Sequence, residues 1–224
     1  MAVSVFELKM RLATKEEYQE DQGFPSLKEA SIHMEEGPRM CGLAIVRTIL
    51  DYQFGITLSE EDLIDRYCNL KGYKVTYTRD PEKIKRSKRF FCEYTPGYFP
   101  TELVGLIKPE VSQSIKAFTS RRGTINHLDH LLLKEGIIPI THQLVAYDED
   151  GSRELNSHYM PYGGFNGREV RYHDPSQEEG FKVVPVEQFL EQWKNPEAGN
   201  ERWYMAILPE RVTLNREIFR GKYL

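Results

Sequence analysis

The sequence predicts an α+β protein in which helices come first and antiparallel strands follow. Two observations predict this class. Apolar residues recur at helical spacing before residue 136, whereas β-branched runs separated by turn residues dominate after it. This order differs from the strand–helix alternation of Rossmann-type folds. The 224 residues are enough for one large domain, so we expect an N-terminal extension over 1–30, a domain over 31–210 and a C-terminal tail over 211–224.

The composition excludes several classes of protein. Hydrophobic residues make up 40% of the chain and aromatic residues 12%, which is enough apolar surface to exclude disorder over most of its length. No apolar run approaches the roughly 18 to 20 residues of a membrane-spanning helix, and the first residues lack the features of a secretory signal. A net charge of −4 argues against a general nucleic-acid binder. We therefore expect a soluble, cytoplasmic protein.

Three helices are predicted in the first part of the chain. The first follows Cys41 in the run CGLAIVRTILDY, whose apolar residues share one side at helical spacing. Ser59 is a favourable N-cap for the second helix, which has acidic residues in its first turn and ends near Gly72. Thr124 is the expected N-cap of the third helix, and Gly136 is its expected C-terminal glycine.

Five strands are predicted after these helices, over 137–145, 158–165, 169–172, 181–184 and 202–208. Asn166 and Gly167 separate the second strand from the third, and Asn-Gly between strand-like runs is a strong hairpin signal. Apolar residues at helical spacing predict one further helix over 186–193. Residues 73–120 contain only short apolar runs between Pro and Gly, so the sequence assigns no element there.

Cys41 is the candidate nucleophile. It lies at the start of the first predicted helix, where the helix dipole and the unpaired backbone N–H groups favour the thiolate, which is the nucleophilic form. Gly42 lets a substrate carbonyl approach the backbone, so the N–H of Cys41 is a candidate oxyanion donor. The alternative is a buried structural thiol, which is what we expect of Cys68 and Cys92.

His158 and Asp174 are the candidate partners of this cysteine. A histidine at the start of a strand can be held rigidly against a helix N-terminus, as a Cys–His pair requires. Asp174 follows the next predicted strand in an Asp-Pro pair, where it can accept a hydrogen bond from the imidazole and fix its tautomer. A surface histidine and a turn-forming aspartate are the alternatives. Only the ordered set of Cys, His and Asp points to catalysis.

The ordered set resembles the papain-like cysteine peptidases, specifically the C39-like branch of the bacteriocin-processing type. The matching pieces are the residues at 40–44, 138–140, 157–159, 164–165 and 174–175, within a span from about 30 to 208. The resemblance implies a two-lobed fold, in which an N-terminal helical lobe packs its nucleophile helix on a C-terminal antiparallel β-sheet. It implies Cys41 as the nucleophile, His158 as the general base and acid, and Asp174 as the residue that orients the histidine.

The sequence departs from the family pattern at the oxyanion site. The family carries a Gln about six residues before the cysteine, whereas Glu35 and Glu36 occupy this region here. An ionised carboxylate repels a developing oxyanion, while a protonated one can donate a hydrogen bond to it. The candidate oxyanion donors are therefore Glu35, Glu36 and, further back in the chain, His33.

The resemblance implies a cysteine-dependent hydrolase of the peptidase or amidase type, or an acyl transferase. Either would act on a peptide, amide or thioester substrate through a covalent acyl-enzyme at Cys41. The alternative is a catalytically weak papain-like domain that binds a peptide or a partner protein, which the missing Gln favours and the intact Cys–His–Asp order opposes. No cofactor and no metal are expected, and the sequence gives no oligomeric state.

Three further features allow other interpretations. The basic stretch 83–89 beside two Phe residues could bind nucleic acid or an acidic partner, although a solvated loop is the commoner meaning. The acidic run 148–150 could bind calcium but lacks the spacing of a known calcium loop, which favours an exposed acidic turn. His127 and His130 are three apart on a predicted helix and could bind a metal, but without a third ligand they are expected on the helix surface.

Overall fold

The computed structural model describes residues 41–72, 75–77, 90–92, 100–111, 114–149, 152–175, 181–194 and 201–224. The helices in these ranges are α1 (Cys41–Ile49), α2 (Glu60–Lys71), α3 (Pro100–Ile107), α4 (Ile125–Asp129) and α5 (Val186–Gln192). Single π-helical turns continue α1 over Leu50–Phe54 and α4 over His130–Lys134. None of the described helices combines the length and the apolar character needed to cross a membrane.

The described strands are β1 (Val75–Tyr77), β2 (Phe90–Cys92), β3 (Ile115–Ser120), β4 (Ile140–Glu149), β5 (Ser152–Phe165), β6 (Glu169–His173), β7 (Phe181–Pro185), β8 (Tyr204–Pro209) and β9 (Lys222–Tyr223). Seven of them form one sheet in the order β7-β6-β5-β4-β8-β3-β9, and every pairing in it is antiparallel. β1 and β2 pair separately. The combination of helices with one antiparallel sheet confirms the α+β class, although α4 follows β3 and α5 follows β7.

Local signals set the helix ends as predicted. The Ser59 side chain accepts a hydrogen bond from the N–H of Asp62, whose carboxylate in turn accepts from the N–H of Ser59, so a reciprocal capping box opens α2. Gly72 closes this helix with a φ of 69°, a left-handed conformation that glycine adopts at little cost. Thr124 caps α4 by accepting from the N–H of His127, at 3.2 Å.

The predicted hairpin is present, but its first strand is longer than expected. Asn166 and Gly167 lie between β5 and β6, with the N–H of Asn166 donating to the carbonyl of Glu169 at 3.1 Å. The prediction that His158 opens this strand is wrong, because β5 begins six residues earlier and pairs with β4 from Glu149↔Ser152 onward. The added residues, SRELNS, are mostly polar. A strand without alternating apolar residues has no period-2 pattern, so the sequence did not predict this part of β5.

Four elements, β1, β2, α3 and β3, lie in the segment 73–120, to which the sequence assigned none. α3 begins at Pro100, and proline is favoured in the first turn of a helix because its missing N–H has no partner there anyway. β3 pairs with β8 over six residues, from Ile115↔Pro209 to Ser120↔Tyr204. Its partners come some 90 residues later in the chain, so no local pattern reveals the pairing.

The helix that carries the candidate nucleophile is enclosed by protein. Seven of the nine residues of α1 are buried, which ties its position to the packing of the core. Gln53 fixes the far end of this helical segment, because its side-chain amide donates to the carbonyl of Ile207 at 3.0 Å and accepts from the N–H of Ile138 at 3.3 Å. One side chain therefore joins the end of α1 to the segment before β4 and to β8.

The segment 211–224, predicted as a tail, packs against the sheet. Leu214 and Phe219 belong to the buried core, and β9 pairs with β3 through Phe118↔Tyr223. The Phe219 ring meets the Phe118 ring edge to face, with centroids 6.2 Å apart. The predicted N-terminal extension, 1–30, lies outside the described residues.

We expect Phe219→Ala to lower the free energy of unfolding by about 3 kcal/mol, because it removes a buried aromatic ring and leaves a cavity against the sheet. The matched control is Ile218→Ala, at a side chain that is 46% exposed, for which we expect a change within about 0.5 kcal/mol. Urea denaturation of both variants measures the difference. Equal stability of the two variants would show that the segment after residue 210 does not contribute to the core.

Candidate functional site

Cys41 is the first residue of α1 and is partly exposed. It is unlike Cys68, which lies in α2 and is only 2% exposed, as predicted for a core thiol. Cys92 lies in β2, and only its backbone is described. Between the two cysteines with described side chains, Cys41 alone combines a place at a helix start with access to solvent.

His158 lies inside β5 and is partly buried. It pairs with Gln143 of β4, so the two side chains share one face of the sheet. The Gln143 amide donates to the Thr141 hydroxyl at 2.8 Å, and that hydroxyl donates to the carbonyl of Met160 at 3.1 Å. One buried hydrogen bond therefore joins β4 to β5 two residues after His158, and a second lies within β4 and involves the residue opposite the histidine.

The next residue, Tyr159, connects this strand to the start of α1. Burial is the main cause of the raised pKa of the Tyr159 phenol, and the negative charges of Cys41 and Glu102 raise it further. Cys41 therefore lies near the residue that follows His158, and α1 packs against β5. Tyr159 also packs against His142 and Trp203, with ring centroids 5.2 Å and 5.8 Å away.

Asp174 follows the last residue of β6 and is fully buried. The Nζ atom of Lys182, on β7, lies 3.4 Å from its Oδ2 atom. The pKa of Tyr172 is raised to about 12. Burial is the main cause, and the negative charge of Asp174 is the second. A neighbouring lysine favours the ionised form of a carboxylate, and burial opposes it.

Strand alternation places the side chains of His158 and Asp174 on the same face of neighbouring strands. His158, Met160 and Tyr162 occupy alternate positions of β5 and so share one face, and Tyr162 pairs with Tyr172 of β6. Asp174 lies two residues beyond Tyr172, so its side chain continues that face. Strand alternation therefore gives the predicted histidine and aspartate a common face of the sheet, whereas Tyr159, the residue near Cys41, points its side chain to the other face of β5.

The other predicted residues lie outside this description. The oxyanion candidates Glu35, Glu36 and His33 precede the described residues, and the basic stretch 83–89 falls in a gap between described ranges. The acidic run 148–150 is described only for the backbone of its first two residues. Interpretations that depend on these side chains stay predictions.

A second group of ionisable residues, which the sequence indicated only as two histidines, lines an open cleft of about 460 Å³. Asp129 lies between His127 and His130, and its Oδ1 atom accepts a hydrogen bond of 2.7 Å from the buried Tyr162 hydroxyl. Burial raises the pKa of Asp129 to about 6, against the opposing effect of this hydrogen bond. The two histidine rings lie against Phe219, with centroids 5.2 Å and 5.1 Å away.

The described residues contain no group of three or more His, Cys, Asp or Glu side chains arranged to hold a metal ion. This finding includes the surroundings of His127 and His130. Their contacts with Phe219 favour a packing role for both rings.

Comparison with known proteins supports the same architecture. No protein-family model matches the sequence, and no curated protein matches it either. Among solved structures, the chain is similar to a provisionally assigned C39-like peptidase from Bacillus anthracis, with a TM-score of 0.51 and 17% identity. The match covers 82% of this chain and 97% of that one. The likeness shows a peptidase-like fold. Activity and the identity of the catalytic residues are separate questions.

We expect the stability of the protein to depend on Asp129 between pH 4 and 6. The folded pKa of about 6 lies above the ordinary value of 3.8, so the folded state holds this proton to higher pH than the unfolded state does. The contribution of Asp129 to stability is therefore complete below pH 4 and declines as the pH rises through 6. Between pH 4.5 and 6.5 the parent should lose stability relative to Asp129→Asn, because Asn carries no proton that titrates. Urea denaturation of both proteins at the two pH values measures the difference. An identical change in both proteins would contradict the assigned pKa.

Proposed function

We propose that this protein is a cysteine-dependent acyl hydrolase that acts on a peptide or related amide through a covalent intermediate at Cys41. His158 is the general base and acid in this proposal, and Asp174 is the residue that orients it. The observation that carries the proposal is that α1, which begins at Cys41, packs against β5, the strand that carries His158. The pairing of β5 with β6 supports the role of Asp174, because Asp174 follows β6 on the face that His158 shares.

The chemistry requires only the groups of this triad and a water molecule. The imidazole of His158 takes the proton from the Cys41 thiol, and the thiolate attacks the substrate carbonyl to form a carbon–sulfur bond. The leaving amine takes that proton from the imidazolium as the carbon–nitrogen bond breaks, which leaves a thioester on the enzyme. A water molecule, deprotonated by His158, then cleaves the thioester, and the proton returns to the sulfur. An amine in place of water would make the same protein an acyl transferase.

The oxyanion formed in each attack needs hydrogen-bond donors. The N–H of Cys41 is one, because it lies at the start of α1. The second donor is proposed to come from Glu35, Glu36 or His33, in the segment that precedes the helix. A glutamate acts as a donor only in its neutral form, so activity that depends on Glu35 or Glu36 would fall as the pH rises through its raised pKa.

A second candidate function is a binding module of the same fold. The specific observation that favours it is the pair of acidic residues, Glu35 and Glu36, in the region where the C39-like family carries its Gln. In this alternative the fold would bind a peptide or a protein partner without turning it over, and Cys41 would have the reactivity of an ordinary thiol.

The pH dependence of Cys41 alkylation distinguishes the two functions. Iodoacetamide reacts with the thiolate, so the rate follows thiolate formation, which for an ordinary cysteine is half complete near pH 8.5. In the proposed enzyme we expect half-maximal alkylation of Cys41 at least two pH units lower, and we expect His158→Ala to return it to roughly 8.5. Peptide mapping by mass spectrometry assigns each rate to its cysteine.

Cys68 is the internal control, because at 2% exposure it should react only after unfolding. An alkylation midpoint near 8.5 for Cys41 in the parent protein would exclude the enzymatic proposal and support the binding module. If the alkylation midpoint of Cys41 is low and His158→Ala does not change it, Cys41 is a reactive thiol but His158 is not the residue that activates it.

A further inference from the structure

Lys182 has a place in the structure that neither the sequence motifs nor the fold comparison indicated. It belongs to β7, at the edge of the sheet in the described part of the chain, and it pairs with Tyr172 of β6. This pairing points its side chain to the face that Asp174 continues. Its Nζ atom lies 3.4 Å from the Oδ2 atom of Asp174, within ion-pair distance.

The two partners differ sharply in their access to water. The Lys182 side chain is 24% exposed, whereas the Asp174 side chain is fully buried. The lysine therefore keeps much of its own hydration, but the carboxylate has lost its water and depends on protein groups to stay ionised. An exposed ion pair contributes little, but a lysine that neutralises a dehydrated carboxylate decides the protonation state of that carboxylate.

We propose that Lys182 is a positioning residue for the reaction, which holds Asp174 in the ionised form that orients His158. This inference rests on the proposed function, since it gives Asp174 a role only if His158 is the catalytic base. An ionised Asp174 accepts the imidazole N–H and stabilises the imidazolium; a protonated Asp174 does neither as well.

Lys182 carries a positive charge within ion-pair distance of Asp174, and the other groups near it belong to β6, α5 and β5. Tyr172, from β6, is neutral over the working range, because its pKa is about 12. α5 contacts Tyr172 through Gln192, which does not titrate. His158, on β5, is the other group on this face. Arg171 belongs to the opposite face, where its guanidinium lies over the Phe181 ring at 4.5 Å.

The test is the pH profile of Cys41 alkylation in Lys182→Met, read beside Lys182→Arg and the parent. Without the lysine, buried Asp174 stays protonated to higher pH, so the thiolate–imidazolium pair loses its support at the acid end. We expect the low-pH midpoint of Cys41 alkylation to rise by roughly one pH unit in Lys182→Met, which is about a tenfold slower reaction at pH values below the midpoint. Lys182→Arg keeps the charge and should restore most of the parent profile.

Lys194→Met is the matched control. Lys194 is also a lysine in an ion pair, with Glu191, but both of these side chains are exposed, so its removal should leave the profile unchanged. Circular dichroism and thermal melting of each variant establish that it is folded. If Lys182→Met does not fold, Lys182→Gln and Lys182→Arg are compared in its place, and equal profiles for these two would overturn the inference.

The outcomes separate the two proposals. If Cys41 of the parent protein titrates like an ordinary thiol, the enzymatic function is rejected, whatever the profiles of the Lys182 variants. If Cys41 is activated in the parent and folded Lys182→Met has the same alkylation profile, the proposed function stands and the role of Lys182 is overturned. A shifted profile in Lys182→Met that Lys182→Arg reverses supports both.

Discussion

The pairing of β4 with β5 is the constraint on which the candidate site depends. Ten residue pairs, from Ile140↔Pro161 to Glu149↔Ser152, fix the register of β5 against the centre of the sheet. A slip of one residue would move every β5 side chain to the opposite face. His158 would then leave the face that Asp174 continues and Tyr159 would leave its aromatic partners. The Thr141 hydroxyl adds a buried hydrogen bond to the carbonyl of Met160, its partner in this register.

Burial and charge then determine how the site can react. Asp174 and Lys182 form a pair in which only the carboxylate is fully dehydrated, so the ion pair acts on protonation more than on stability. Asp129 shows the contrasting case, because its nearest partner is the neutral Tyr162 hydroxyl and burial raises its pKa to about 6. The two carboxylates thus have different surroundings, since Asp174 has a lysine within ion-pair distance and Asp129, in α4, accepts from a hydroxyl. A peptidase-like fold provides the scaffold, and in the proposed mechanism the lysine makes Asp174 the carboxylate that assists the imidazolium.

Local features could be predicted from the sequence, whereas features made by distant residues could not. The Ser59 cap and the Asn166-Gly167 turn depend on neighbours within a few residues, and both are present in the structure. β3 could not be found, because its pairing partners come far later in the chain. The candidate triad came from a family resemblance in motif order, and the structure adds what that order omits. Lys182 reaches Asp174 across a strand pairing, and no spacing rule identifies a lysine in that role.

The most direct test of the account is the imidazole titration of His158, followed by nuclear magnetic resonance in the parent protein and in Cys41→Ala. If the two side chains form a thiolate–imidazolium pair, the thiolate holds the proton on His158, and its midpoint lies well above the ordinary value of about 6.5. Removing the thiolate should lower that midpoint by at least one unit, while Cys68→Ala should leave it unchanged. A His158 midpoint that is the same in the parent and in Cys41→Ala would contradict the central claim that these residues act together.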